Sequence, residues 1–474
     1  MTRPAPPRLS FTAGNATDAL VLTSRDPSTG DLIAQYPCWT SDQLNSALDA
    51  TKLQQDVWKA TSLRSRSAML LRIAVGLRDA RDQLADLTAF EVGKPVRDAR
   101  AEVDKSAAAF EYFAHRGPRA MHSRPIAKPG TRTSLHYESF GVILCVVPPF
   151  YPYWQVVRIC APALLAGNAV VVKHGRGTTG STVALQATFE EAGLPPGLFQ
   201  VLMVPEATVP ALIADPRISR IAISGRTTTG AFLTALAGQH LKPCIPQLSG
   251  LDSFIVLDDA PLSSVIECAL RARFHNSGQS CSAAKRLLVH RSLYPEFIAR
   301  LADAVTQLRV GDPRDPLTEV GPLAYEDLRL EVHSQVQRSV ALGSTRICGG
   351  VPIAGPGFFY EPTVLSEVAP DMPVFKEEVL GPVASVMPID SDEMAIAIAN
   401  GSPYGLSASV WTTSTHRGLQ IAGRLDVGSV FINQRAGTDP AVPFGGVKNS
   451  GYGRDLGLLG LHQLVTTKVI STLA

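Results

Sequence analysis

From residue 141 to residue 237 the chain alternates short apolar runs with longer amphipathic ones. Residues 141–147, 169–173, 199–204 and 220–223 are mostly Val, Ile, Leu, Ala and Phe, the pattern of strands buried on both faces. Residues 154–166, 178–192 and 227–237 carry apolar positions at helical spacing, and 209–214 predicts a further short helix. This alternation predicts a parallel, doubly wound α/β sheet. Right-handed crossovers then place the loops after each strand on one sheet edge, where a dinucleotide can bind. Upstream, residues 26–30 (Asp-Pro-Ser-Thr-Gly) read as a turn between short strands. Two helical patterns follow, at 41–61 and 63–90, the second with Leu70, Leu71, Val75 and Leu77 spaced for one buried face. Gly93-Lys94-Pro95 breaks the pattern, and another helix begins near Val96. A second α/β unit starts near Ser253-Phe254-Ile255-Val256-Leu257 and runs to about Val442.

The most apolar region, roughly 140–173, is not a membrane span on this reading. Pro148, Pro149 and Pro152 interrupt it, followed by Gln155, Arg158 and Asn168. The chain's 474 residues exceed one simple core and suggest two or three domains. With 44 basic and 42 acidic residues the net charge is only +2, so no global field favours nucleic acid or an anionic membrane. The seven cysteines include no CxxC pair and no metal-ligand spacing, which suits reduced thiols in an intracellular protein. The segment Met1-Thr2-Arg3-Pro4-Ala5-Pro6-Pro7 has no apolar signal core, so a cytoplasmic location is expected.

Two stretches are candidates for chemistry. There is no GxGxxG after the first strand of the sheet. Gly225-Arg226-Thr227-Thr228-Thr229-Gly230 closes the fourth strand and opens a helix, as a phosphate-binding turn or simply a tight turn would. Phe274-His275-Asn276-Ser277-Gly278-Gln279-Ser280-Cys281 places a thiol among small polar groups after a helix. Taken alone it suits a structural thiol as well as a nucleophile, which needs a lowered pKa and an oxyanion donor.

Five ordered motifs, spanning most of the chain, separate these readings. Glu91-Val92-Gly93-Lys94-Pro95 resembles E-x-G-K-P of the aldehyde dehydrogenase superfamily. Pro162 to Lys173 is similar to its P-A-L-A-A-G-N-x-V-V-x-K, and Phe274 to Cys281 to its F-x-N-x-G-Q-x-C. Glu377-Glu378-Val379-Leu380-Gly381-Pro382 resembles E-E-x-F-G-P, and Phe444 to Arg454 resembles F-G-G-x-K-x-S-G-x-G-R. The wording from Pro152 to Arg158, at Val172-Lys173-His174 and from Cys281 to Arg286 is most similar to the bacterial-type succinate-semialdehyde dehydrogenase branch.

The resemblance implies NAD(P)-dependent oxidation of an aldehyde, possibly a small semialdehyde, through a thioester on Cys281. It places Lys173 at the adenosine ribose, Glu378 at the nicotinamide ribose, and Gly225 and Gly230 beside the pyrophosphate. Arg158 either holds a distal carboxylate of the substrate or anchors its helix in a salt bridge; Phe444 stands at the substrate.

Three departures fall at the chemistry. P-W-N-F-P reads Pro148-Pro149-Phe150-Tyr151-Pro152, with no gap between Pro152 and Pro162, so Phe150 takes the place of the oxyanion asparagine. E-L-G-G reads Gln247-Leu248-Ser249-Gly250, so Gln247 takes the place of the general base, which an amide cannot replace at neutral pH. Arg226 stands for the phosphate-side serine and Arg176 for the glutamate that disfavours a 2′-phosphate, so NADP is expected over NAD.

The fold expected is two doubly wound parallel-sheet domains with a small β oligomerisation arm. Residues 1–118 and 138–249 would bind NAD(P), 250–447 would be catalytic, and 119–137 with 448–474 would bridge subunits. Val465, Val469 and Ile470 suit a strand whose edge needs a partner, hence a homodimer or homotetramer. Two alternatives stay open: acyl transfer from the thioester to CoA or an amine, and a binding or regulatory homologue with a degenerate site. The expected partner is a small-molecule aldehyde, with no nucleic acid, membrane or metal.

Overall fold

In the computed structural model, which describes residues 20–473, the alternating pattern forms two large sheets. The segment 1–7, read above for export signals, lies outside the described residues. The first sheet has five parallel strands in the spatial order Phe199–Val201, Ala169–Lys173, Val142–Val146, Ile218–Ser224, Cys244–Gln247. The chain enters at the central strand, winds outward to one side, then returns and winds to the other. The reversal opens a crevice at the carboxyl ends of Val142–Val146 and Ile218–Ser224, the switch point where α/β sheets take ligands. Four of these strands were legible in the pattern. Cys244–Gln247 was not, because Pro243 and Pro246 interrupt it; an edge position tolerates them.

The second sheet has seven strands in the order Thr345–Cys348, Thr363–Ser366, Val383–Ile389, Arg286–His290, Ser253–Val256, Ser407–Trp411, Ser429–Ile432. Only the first pair is antiparallel.

The pattern at 63–90 is two helices, Leu63–Asp79 and Arg81–Val92, parted at Ala80 (φ −85°, ψ 3°). Both pack on the helix Val96–Ala120, and the break lets each face it; no Gly or Pro marks it in the sequence. A three-stranded antiparallel sheet, Arg124–Ile126, Thr131–Ser139 and Val465–Leu473, stands apart from both large sheets. In its edge strand every residue after Val465 is exposed, including Val469, Ile470 and Leu473.

Candidate active site

Cys281 is delivered by a loop whose backbone is held on all sides. The helix Leu262–Phe274 ends, and Asn276 and Ser277 take left-handed conformations (φ 51° and 54°). Such a turn is costly for most residues and least so for Asn. Asn276 Nδ2 donates to the carbonyls of Phe150 (3.1 Å) and Gln279 (3.1 Å), and Gln279 Oε1 accepts from the Ala324 N–H (2.9 Å). Gly278 (φ 73°) lies so close to Gly381 that a Cβ would come within 2.2 Å of its carbonyl oxygen. Buried Arg273 donates to the carbonyls of Gly278, Val379, Gly381 and Val383, tying this loop to the one carrying Glu378.

The opposite wall is the turn 148–153. Lys94 pairs with Glu102 and lies over the Tyr151 ring (3.8 Å), while Glu102 Oε1 accepts from the N–H groups of Tyr153 (2.9 Å) and Trp154 (2.8 Å). Glu91 accepts from the Gly180 and Ser181 N–H groups and so occupies the N-terminus of the helix Thr179–Glu191. The Glu91-to-Pro95 motif thus positions the site from behind rather than entering it.

Cys281 lies where two cavities meet. One, of about 190 Å³, is lined by Lys105, Tyr151, Arg158, His275, Arg435 and Phe444 among others. The other, of about 170 Å³, lies at the switch point between the sheets and includes Phe150, Gly225, Arg226, Gln247, Tyr325 and Glu378. Burial pushes the Cys281 thiol up to about 11, with Glu378 and Asp252 adding to the rise; Lys285 and Arg158 oppose it. Lys285 Nζ donates to the carbonyls of Ser280 (2.8 Å) and Cys281 (2.7 Å) and lies 3.4 Å from Glu378 Oε1, which also accepts from the Gly250 N–H (3.1 Å).

The first cavity carries three cations, Lys105, Arg158 and Arg435, beside two carboxylates, Asp98 and Glu102, which are already paired with His275 (3.2 Å) and Lys94. Arg158 is buried, with Nε 2.5 Å from Asp455 Oδ2 and Nη1 3.2 Å from Gln155 Oε1, and it lies over the Phe444 ring (5.5 Å). The salt bridge is therefore made, and the guanidinium still lines the cavity. Lys105 donates to Thr438 and sits 4.3 Å from the Trp154 ring centroid. Burial, then the charges of Arg158 and Arg435, push its pKa down to about 7; Asp439 and Glu102 oppose them.

In the second cavity Phe150 is nearly buried and stacks on Tyr325 (6.4 Å), so its position offers an apolar wall. Gln247 ends its strand with neither Oε1 nor Nε2 hydrogen-bonded. Gly225 (φ 152°) has open space where a Cβ would stand, and Gly230 lies so close to Leu248 that a Cβ would come within 2.2 Å of it. The open face at Gly225 suits a bound nicotinamide cofactor. Lys173 is buried at its strand end and donates to the His174 carbonyl (2.6 Å); burial lowers its pKa. Arg176 pairs with Asp327 (2.9 Å) and Arg226 with Glu331 through both nitrogens, so both reach across to the helix Glu326–Ala341.

Lys105, Arg435 and Lys285 were not singled out in the sequence. Lys105 and Arg435 lie outside the motifs, 330 positions apart in the chain, and no local pattern announces that they share a wall. Lys285 lies four residues after Cys281, within the stretch to Arg286 that carries part of the resemblance, but nothing there assigns it a role. Among the described residues no cluster of metal-binding side chains occurs, and no helix is long and apolar enough to cross a membrane.

A model of the aldehyde dehydrogenase family matches residues 14–470. The chain is 37% identical to the succinate semialdehyde dehydrogenase [NAD(P)+] of Escherichia coli over 96% of its own length and 98% of that protein's. It superposes on the succinic semialdehyde dehydrogenase of Streptococcus pyogenes, solved with NADP+, with a TM-score of 0.92, 31% identity and coverage of 95% and 99% of the two chains. The corresponding enzyme of Burkholderia pseudomallei gives 0.93 and 31%, covering 96% and 95%. On its motifs, its sheets and these likenesses, the chain belongs to the aldehyde dehydrogenase family.

Proposed function

We propose that this aldehyde dehydrogenase oxidises a small aldehyde bearing a distal carboxylate, with NADP as hydride acceptor, through a thioester on Cys281. The observation that carries this reading is the placement of Cys281 between a cation-lined cavity and the switch-point crevice. Lys105, Arg158 and Arg435 surround the place for a carboxylate, leaving the aldehyde carbon facing the thiol. Lys173 and Glu378 would hold the ribose hydroxyls, and the turn at Gly225 would leave room for the pyrophosphate. The nicotinamide ring, when bound, supplies the hydride acceptor. Cys281 loses its proton, attacks the carbonyl carbon and carries the acyl group once the hydride has left.

Incubation of the purified protein with NADP and succinate semialdehyde, with and without CoA, tests this. Reduced cofactor and an acyl mass on Cys281 are expected; absence of both refutes it. Lys105→Met should raise the KM for succinate semialdehyde by roughly ten- to a hundred-fold, the worth of a hydrogen bond to a charged group. An uncharged aldehyde such as butanal should be little affected. Because Lys105 is charged only below about 7, the preference for the carboxylate-bearing aldehyde should fall as pH rises through that value. A preference that is flat from pH 6 to 8.5 contradicts the assignment.

Arg176 is more than half exposed, and an exposed pair such as Arg176–Asp327 is worth only about 0–1 kcal/mol. A 2′-phosphate can therefore redirect the arginine at little cost. Arg176→Glu is expected to weaken NADP binding by roughly ten- to a hundred-fold while sparing NAD; equal affinity of the unaltered protein for both cofactors refutes the preference.

Gln247 favours a second reading, in which CoA or an amine takes the acyl group, since neither needs the water-activating base that an amide cannot supply. In the test above, an adduct released only by CoA or amine distinguishes it. The unpaired, exposed edge of Val465–Leu473 supports a homodimer or homotetramer joined through that strand. A solution mass of a single chain by sedimentation would count against it.

A further inference from the structure

We infer that the Gln247 side-chain amide is the catalytic hydrogen-bond donor to the oxyanion formed at Cys281, a role the Phe150 ring cannot fill. The inference rests on the reading of Cys281 as the nucleophile. Gln247 is over nine-tenths buried, and both polar atoms of its side chain are without a partner. Leaving a buried amide unsatisfied is costly, and such groups in a folded chain call for an explanation. Nε2 lies against Gly445, where a Cβ would come within 2.8 Å of it, so a side chain at 445 would crowd the amide. The amide lines the same cavity as Cys281 and the Phe150 ring.

Two other polar side chains on that wall, Gln279 and Ser249, already have partners. The Gln279 amide is held by Ala324 and Asn276, and the Ser249 hydroxyl accepts from the Thr227 N–H. Gln155, which lines both cavities, accepts from Arg158 through Oε1. No hydrogen bond among the described residues engages the Cys281 N–H, which leaves it as a second donor. In the step proposed, the thiol gives its proton to water, sulfur bonds to the carbonyl carbon, and the C=O π pair moves onto oxygen. Gln247 Nε2–H and the Cys281 N–H then donate to that oxygen. Preorganised donors of this kind act most strongly where water is excluded.

The probe is a trifluoromethyl ketone carrying a terminal carboxylate, which forms a tetrahedral adduct with a thiol without hydride transfer. Its adduct on Cys281 is followed by fluorine NMR and intact mass, with no cofactor present. Gln247→Leu is expected to weaken the adduct by on the order of 100-fold, and Phe150→Asn in the Gln247→Leu background to recover most of the loss. A loss of packing alone would not be rescued by a second polar substitution. Thermal unfolding confirms that each variant is folded.

An unchanged adduct in Gln247→Leu overturns the inference, as does a failure of the unaltered protein to form one. A drop confined to Tyr151→Phe or Gln155→Leu assigns the donor elsewhere and also overturns it. If Gln247→Leu weakens only NADP binding, the amide serves the cofactor instead, and the inference falls. A Gln247-dependent adduct without any NADP reduction leaves the inference standing and refutes the dehydrogenase reading.

Discussion

Cys281→Ala is expected to abolish the acyl adduct and to lower aldehyde oxidation by on the order of a million-fold, the scale seen when a covalent nucleophile is removed. No other cysteine lines either cavity, and Cys145 and Cys160 are fully buried, where burial holds both far from the thiolate form. In the cofactor-free protein the Cys281 thiol is itself raised to about 11, so below that pH the protonated form dominates. Alkylation by iodoacetamide should therefore accelerate roughly tenfold per pH unit from 7 to 10, since only the thiolate reacts. A plateau below pH 9 would show that Lys285 and Arg158 outweigh burial, contrary to the balance of charges around the sulfur. The same alkylation, lost in Cys281→Ala, identifies the reacting residue by mass.

Much of the scaffold of this site was legible in the chain. The apolar runs at 141–147 and 169–173 are central strands, where burial on both faces leaves no choice of residue. Gly278, Asn276 and Gln279 had a readable pattern because each has one strict local demand: a close approach, a left-handed turn or a fixed amide. Arg158 was readable as two alternatives, and the fold makes the salt bridge to Asp455 while keeping the guanidinium on the cavity wall. Arg176 and Arg226 are candidate cofactor residues on the sequence, which gives no sign of their pairing with Asp327 and Glu331, acids on a helix of the other sheet's unit. Lys105 and Arg435 could not be read at all. Their shared effect depends on burial and mutual repulsion, which arise only when distant segments meet. The helix break at Ala80 was also hidden, because packing on Val96–Ala120 decides it rather than local propensity.

The largest gain of function is expected from Phe150→Asn combined with Gln247→Glu. Gln247→Glu alone supplies a carboxylate that can activate water, but it removes the amide donor inferred above. Acylation should slow even as the thioester becomes hydrolysable, so steady-state turnover gains little. Phe150→Asn alone adds a donor to the same cavity and should raise the first burst of reduced cofactor. Without a base the thioester persists, and later turnovers remain slow. Together the two changes provide donor and base at once, and hydrolytic turnover should rise by on the order of 100- to 10,000-fold. Residues acting as one unit are strongly non-additive, so the excess of the double variant over the product of the singles measures that unit. The phenyl ring stacks on Tyr325 and packs among buried side chains of the seven-stranded sheet's unit, so its loss is expected to cost about 3 kcal/mol of stability. That cost lowers the unfolding temperature without removing the site, and rates are compared below it. If the double variant forms the thioester no faster than Gln247→Glu and hydrolyses it no faster than Phe150→Asn, Phe150 and Gln247 do not occupy the positions assigned to them.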